Sequence, residues 1–473
     1  MRWTLERDPN VAISESRRAA ARGELERARG DFDPLLTASA DATHDNRPET
    51  SGGASESRTL ATRLGLLWTL RSGLSLEPDL TLSQVADPNS TAAALDRGTV
   101  TFRIRQPLLR GRGREVTTAR EVAAEYELAA AGLDLEHDIA GRLLAVINQY
   151  WAWLAAERNL AVFRASEEAS RVLLEKTRQL IAADQVPAAD LVQLEANLAA
   201  KESSTLGGLQ AVFGARQDLG REIGLDAGEI LALPPPSDAF PALDAAVRPE
   251  PGQAERWIER ARARRADHRA AQARQAAGEV LRRAAEANLR PRLDLVFAPS
   301  WSGLDRGSGA GPFFSPLVEN VPGASASLGL SLSWPTTNRD AEGALLQAEA
   351  GQRQRELAVE RVAKAIGADV PAALDALDKS ARRLEKARQA EWLFERAVVN
   401  EEKKLRAGTS TLLDLISQQD RLTAARQNVV SAELALALAL ARLRFETGTL
   451  FSGGEAAALA AGDLVTFPEE DEP

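Results

Sequence analysis

The chain has 473 residues, 27% of them charged and only 5% aromatic, and carries a formal net charge of −10. That acidic balance excludes nucleic acid as the main partner, because duplex binding needs a dense basic face. With no cysteine in the sequence, disulfides, thiolate metal sites, a cysteine nucleophile and a lipid-bearing N-terminal cysteine are all excluded.

The start, Met1 to Asn10, has no apolar stretch and so is not a signal peptide. Export of this protein therefore implies a leader already removed or a start upstream of Met1. No run of about 20 apolar residues occurs anywhere, so no transmembrane helix is expected. Residues 7–36 read as an amphipathic helix running into an extended segment at Pro34. Four segments of period-two alternation follow, at 37–43, 60–70, 74–85 and 99–106, separated by polar loops rich in Gly and Pro. From Arg114 to Ala182 there is no proline, which predicts a helix on the order of 100 Å long. Leu143, Val146, Ile147, Tyr150, Trp151 and Leu154 form a stripe on it that another helix must cover. Asp184 and Pro187 supply a turn, and a second long helix returns from it. A Pro-rich linker occupies 226–250.

The second half follows the same plan. A helix at 264–293 runs into Pro291, and extended segments lie at 292–301 and 324–334. The next long helix is expected to break at Pro371, which lacks an N–H and clashes one turn back. Gly408 suits a helix end, and Thr409, Ser410 or Thr411 can cap the last helix. The tail from Phe451 ends in FPEEDEP and is expected to be poorly ordered.

The halves align. Pairing Asp190 with Asp414 sets an offset of 224, which also pairs Leu219 with Leu443, Glu222 with Glu446 and Gly224 with Gly448. Pairing Pro34 with Pro291 sets an offset of 257. The two offsets differ by 33, so the first half carries about that much extra material between them. The organisation is a first repeat over 1–225, the linker 226–250, a second repeat over 251–450 and a tail over 451–473.

Four to six strands are too few to close a barrel, and the helices cannot bury their stripes within one chain. Both problems vanish if several copies assemble around an axis. A single alternating segment also fits a soluble sheet with one wet face. In an outer-membrane barrel the apolar face points to lipid and aromatics sit near the headgroups. Trp68, Phe102, Trp301 and Trp334, at or near strand ends, would form that girdle.

Nothing points to an enzyme. His44, His137 and His268 match no metal-ligand spacing and read as surface residues. Tyr150, Trp151 and Trp153 read as packing, RGRGRE at 110–115 lacks the phosphate-loop pattern, and no Ser or Thr has a partner His. No cofactor is expected.

An extended segment ending in QPLLRGRG, a long helix bearing INQYWAWLAAE, then a turn and an Asp resemble the first repeat of TolC-like outer-membrane efflux proteins. KKLRAGTSTLLDLISQQDRLTAARQN, running to LARLRFETGTL, is similar to the second. The resemblance covers residues 5–450 and implies a mainly α fold with β. A long coiled-coil helical barrel would join a transmembrane β-barrel formed on trimerisation, with two structural repeats per chain. It implies a homotrimer in the outer membrane of a Gram-negative bacterium, with its helices in the periplasm and the linkers forming an equatorial region. Its partners would be outer-membrane lipid, a periplasmic adaptor and an inner-membrane transporter that powers export. The first-repeat tip that meets the adaptor would be Asp184, Gln185, Val186, Pro187 and Asp190. The pore constriction would be Gly408, Thr409, Ser410, Thr411, Asp414 and Ser417. Asp414 falls on an acidic constriction position, where three copies would favour cations; it also reads as a carboxylate stabilising a helix N-terminus. Ser410 stands where a basic tip residue is frequent, Ser417 where a second acidic ring can stand, and Asp184 where Gly is frequent. The other classes weighed are a periplasmic adaptor, disfavoured by the two hairpins and two strand sets, and a soluble coiled-coil scaffold.

Overall fold

The computed structural model describes residues 7–48, 54–87, 92–182, 190–242, 254–307, 310–318 and 323–451. In chain order these form α1 (Pro9–Gly30), β1 (Leu35–Pro48), β2 (Ala54–Thr69), β3 (Ser75–Ala86), β4 (Leu95–Pro107), α2 (Ala119–Ala182) and α3 (Asp190–Ile223). Then come α4 (Ala227–Ala232), α5 (Ala254–Arg264), α6 (Ala266–Ala287), β5 (Arg292–Arg306), β6 (Gly323–Ser333), α7 (Arg339–Arg406) and α8 (Leu412–Glu446). The bounds recur at the two sequence offsets. At the offset of 257, both ends of α6 fall on those of α1, and at the offset of 224 the end of α7 falls on that of α2. After α3 the N–H of Leu225 reaches the carbonyl of Gly220, and after α8 that of Thr449 reaches Arg444. Each thus closes its last turn with the same long-range bond of a Schellman cap.

The chain divides into two compact units, one comprising residues up to Arg18, Ala130–Ala271 and those from Val359 on, the other Ala19–Ala129 and Gln272–Ala358. The first is helical. Its core joins Ile147 and Trp151 of α2, Trp257 of α5, Leu377 of α7 and Leu436 and Leu443 of α8. The stripe on α2 is covered as its spacing requires: Trp151 is fully buried and stacks on Phe240, ring centroids 5.5 Å apart. A second cluster buries Trp153 with Leu219 and Ile230.

Three details differ from the expectations. Helix α7 runs unbroken through Pro371. The local penalty is about 3 kcal/mol, but Ile366, Val370, Ala373 and Leu374 around it all lie in the core, and burying several such side chains outweighs it. Within the linker, α4 carries a capping box: Asp226 Oδ1 accepts from Glu229 N at 2.9 Å, and Glu229 Oε2 accepts from Asp226 N at 3.1 Å. His268 is buried, with Nδ1 2.9 Å from the Arg262 carbonyl, whereas exposed His44 and half-buried His137, 5.5 Å from the Phe445 ring, sit elsewhere.

Beside His268 lies a buried ionic cluster. Arg265 Nη1 lies 2.5 Å from Glu446 Oε2, and its Nε and Nη2 form a two-pronged contact with Asp267 at 3.1 and 2.7 Å. Burial pushes the Asp267 carboxyl up, but Arg265 outweighs it and holds the group below its ordinary range.

The second unit contains one antiparallel sheet in the order β1-β2-β3-β4-β5-β6. The registers Leu64↔Leu80, Leu80↔Val100 and Val100↔Trp301 place apolar residues in line across four strands. Trp68↔Leu76, Leu76↔Ile104, Ile104↔Phe297 and Phe297↔Leu328 make a second such row. Because side chains alternate along a strand, the residues next in sequence to those of the rows fall on the other face. There Thr81, Thr101, Arg63 and Ser300 lie, and Glu77 meets Arg103 at 3.2 Å and Arg105 at 3.6 Å. One face is therefore apolar and the other polar. The apolar face is bare: Phe102, Trp301, Leu328 and Leu330 are all about half exposed or more. Beyond Leu82 and Gly98 it is covered by the helical turn Ala310–Phe314 and the following Ser315–Leu317, where Pro316 is buried.

Candidate functional site

Two features stand out as candidates: the turn between α7 and α8, and the two-faced sheet. In the turn, Gly408 takes φ +73, a conformation that costs other residues about 1–2 kcal/mol. Gly408 N bonds to the Leu405 carbonyl and Thr409 N to that of Lys404, both at 3.0 Å, the Schellman pattern that ends α7. Of the three capping candidates, Thr411 is the one used. Its Oγ1 accepts from Asp414 N at 3.2 Å, and Asp414 Oδ2 accepts from Thr411 N at 3.1 Å and from Thr411 Oγ1 at 2.7 Å.

The capping role of Asp414 is thus explicit. It is exposed all the same, so its charge faces water. Hydrogen bonds from the Thr411 side chain and backbone, then from Ser410, hold its carboxyl below the ordinary range. Ser410 also donates to Glu401, a buried carboxylate on α7 that Lys404 approaches at 3.0 Å. These two contacts lower the Glu401 pKa, Ser410 contributing first. Sequence reading missed Glu401. The signal was its place in EEKKLRAGTS, two turns before a glycine-ended helix, where a carboxylate can reach the turn's hydroxyls. Ser417 is half-buried one turn into α8, apart from this network.

Next to the turn, Leu174 of α2, Leu194 of α3 and Ile416 of α8 form a small buried cluster. An open groove of about 470 Å³ lies between α2, the end of α7 and the start of α8, lined by Val172, Leu173, Leu180, Leu405, Leu412 and Leu415. Of the first-repeat tip, Asp184, Gln185, Val186 and Pro187 lie outside the described residues, and Asp190 is the first residue of α3.

Of the aromatic candidates, Trp68, Phe102 and Trp301 fall on the apolar face of the sheet. Trp68 is one residue from the end of β2, and Trp334 directly follows β6. Phe102 and Trp301 stand five residues inside the ends of β4 and β5. Phe297, in the row of Trp68, is a further aromatic on this face, 41% exposed. Its position in the unbroken run RLDLVFAPSW hid its parity, since Pro299 and Ala298 blur the alternation.

No helix among the described residues is long and apolar enough to cross a membrane, and none of their His, Asp and Glu side chains cluster as a metal site. Residues 257–449 match the outer membrane efflux protein family. No curated protein matches the chain by sequence. Among solved structures it is similar to the outer-membrane channel OprN, with 19% identity, TM-score 0.69, and coverage of 94% of this chain and 88% of that one. For VceC, an outer membrane protein from Vibrio cholerae, the identity is 18%, the TM-score 0.67 and the coverage 94% of each chain. For the CmeC outer membrane channel from Campylobacter jejuni they are 12%, 0.68, and 96% and 85%. At these identities the similarity is one of fold, and the fold is shared over nearly the whole chain. The second half thus matches the outer membrane efflux protein family by sequence, and nearly the whole chain has the fold of solved outer-membrane channels.

Proposed function

We propose that the chain is one protomer of a homotrimeric duct in the outer membrane of a Gram-negative bacterium, a passive conduit for efflux or secretion. The sheet is the observation that carries this reading. A bare apolar face suits lipid, a polar face suits a water-filled lumen, and the edges β1 and β6 are open to pair with further copies. Along β5 the apolar face runs from Leu293 to Trp301, about 26 Å at 3.3 Å per residue, on the scale of an outer-membrane apolar band. A soluble scaffold or an adaptor has no use for such a face.

In this reading the repeats 1–225 and 251–450 build one wall of the duct, with 226–250 as the equatorial linker. The helices form a periplasmic tunnel. The segment 184–190 and the turn at 408–417 meet a periplasmic adaptor and through it an inner-membrane transporter, which supplies the energy. Asp414 joins two roles, a cap for α8 and, in three copies, a charged constriction. The aromatics Trp68, Phe102, Trp301 and Trp334 face the lipid. The duct performs no chemistry and needs no cofactor.

The test is assembly and conduction. The purified chain in detergent should have the mass of a trimer by light scattering with detergent subtraction, and should conduct in planar bilayers. A monomer that never conducts would sink the proposal.

A further inference from the structure

The strands do not repeat as the helices do. Shifting β5 back by the offset of 257 gives 35–49, the place of β1, and shifting β6 back by 224 gives 99–109, on β4. The repeat therefore equates β1 with β5 and β4 with β6. Side-chain parity agrees. The odd shift carries the apolar, even-numbered positions of β1 onto odd ones in β5, such as Phe297 and Trp301, and the even shift keeps those of β6 even, as in β4. What remains is β2 to β3, Ala54–Ala86. The length of that segment equals the difference of 33 between the two offsets.

We propose that β2–β3 is a hairpin inserted into the first repeat, and that it widens the outer-membrane barrel of the duct from four strands per chain to six, setting the size limit of that barrel. This rests on the trimeric duct proposed above. Three copies then close 18 strands rather than 12, and because diameter grows roughly linearly with strand number, the barrel is about 1.5 times as wide. Solutes too bulky for the narrower barrel enter the wider one.

The hairpin is built into the sheet on both flanks and is not draped over it. β2 pairs with β1 from Leu35↔Leu67 to Pro48↔Ala54, and β3 pairs with β4 from Ser75↔Arg105 to Val85↔Leu95. It extends both faces, adding Leu64, Trp68, Leu76 and Leu80 to the apolar one and the Arg63–Asp79 pair, 3.7 Å apart, to the polar one. Its turn is fastened to the start of α2. Arg71 makes two hydrogen bonds to Glu121, at 2.9 and 2.8 Å, and Ser72 O accepts from Gly113 N at 3.3 Å. Gly73, at φ +90, sits so close that a Cβ would lie 2.3 Å from the Gly111 carbonyl oxygen. An inserted hairpin also leaves its neighbours compatible. β1 and β4 run in opposite directions, so without it they can pair directly.

The chain has no cysteine, so single cysteines report cleanly. Thr101→Cys, on the polar face of β4, is placed in the full chain and in a variant with residues 54–86 replaced by a short Gly-Ser linker. Both are reconstituted in liposomes and treated with maleimide polyethylene glycols of increasing size, and modification is read as a gel shift. The expected cut-off radius is about 1.5-fold larger in the full chain, and equal cut-offs would overturn the proposal. In the full chain alone, Thr81→Cys should react with a membrane-impermeant maleimide while Leu80→Cys does not. Equal reaction at both would remove β3 from the wall and overturn the proposal even where the deletion variant fails to assemble. A full chain that is monomeric in detergent refutes the duct itself, whereas a trimer with an unchanged cut-off refutes only the widening.

Discussion

Arg265 and Glu446, 181 residues apart in sequence, meet inside the helical unit with Nη1 and Oε2 2.5 Å apart and both side chains almost wholly buried. The pair ties the junction of α5 and α6 to the last turn of α8, where Glu446 also receives Arg442. Removing Arg265 leaves Glu446 with Arg442 alone and takes from Asp267 its two-pronged partner. Arg265→Met is therefore expected to destabilise the unit by about 3 kcal/mol, the low end for a broken buried pair because Arg442 remains. Thermal unfolding in detergent checks this, and a Tm unchanged within error would show the contact to be idle.

The two roles of Asp414 separate by substitution. Asp414→Asn keeps an acceptor for the Thr411 N–H, so α8 should lose only a few tenths of a kcal/mol, while cation-over-anion selectivity in bilayers should fall towards unity. Thr411→Ala should do the reverse, costing about 1 kcal/mol with selectivity intact. Reversal potentials under a salt gradient and thermal unfolding together decide, and a Thr411→Ala protein with lost selectivity would mean the charge acts only through the cap.

The turn should also loosen in acid. The Glu401 and Asp414 carboxyls are held below their ordinary values of 4.5 and 3.8 by Ser410 and Thr411. A carboxylate whose pKa is depressed on folding contributes stability above its unfolded pKa and loses it as pH falls through the folded one. Amide exchange at 401–414, corrected for the intrinsic rate, should therefore accelerate below about pH 4. Ser410→Ala should reduce the size of that acceleration, because less stability is left to lose between the unfolded and folded pKa values, and an acceleration of unchanged size would assign the acid sensitivity elsewhere.

The sheet's two faces should respond oppositely to charge. Leu330→Arg puts a guanidinium on the lipid face and should cost about 2–4 kcal/mol. Ser331→Arg, the next residue, faces the lumen and should leave stability nearly unchanged. Urea unfolding in lipid, followed by tryptophan fluorescence, distinguishes them, and equal losses would contradict the assignment of faces.

In the turn of the hairpin, Gly73→Ala meets both a left-handed backbone and the Gly111 carbonyl. About 1–3 kcal/mol of local strain is expected, read as lost trimer resistance to heat on semi-native gels.

How much of this was legible depends on the range of the forces involved. The stripe from Leu143 to Leu154 marked α2, because helical periodicity is written within a few turns. Period-two alternation likewise marked all six strands, though it could not say that β2 and β3 belong to neither repeat. That became visible only when the bounds were aligned. Pro371 misled because a local penalty was weighed without the core around Ile366 and Leu377 that overrides it. For the same reason His268 misled, its helix looking charged although its own face is buried. The capping box of Thr411 and Asp414 was half visible, as a choice among three hydroxyls that only backbone geometry could settle. That Ser410 would reach back to Glu401 was signalled only by the carboxylate's place two turns before Gly408, and the contact itself is made by the turn's path.

The open edges of the sheet, β1 and β6, bear on the life of the protein before it is assembled. A lone copy offers two rows of unpaired backbone groups beside a bare apolar face, a template for any extended chain it meets. In the proposed trimer these edges are sealed only by encounter with two other copies. The waiting time then shortens as newly made protein becomes more concentrated, while misfolded aggregates compete for the same collisions. Slow delivery of the chain to its membrane is accordingly a hazard in itself, and holding it escorted until partners arrive is as much a requirement of this fold as any residue in its pore.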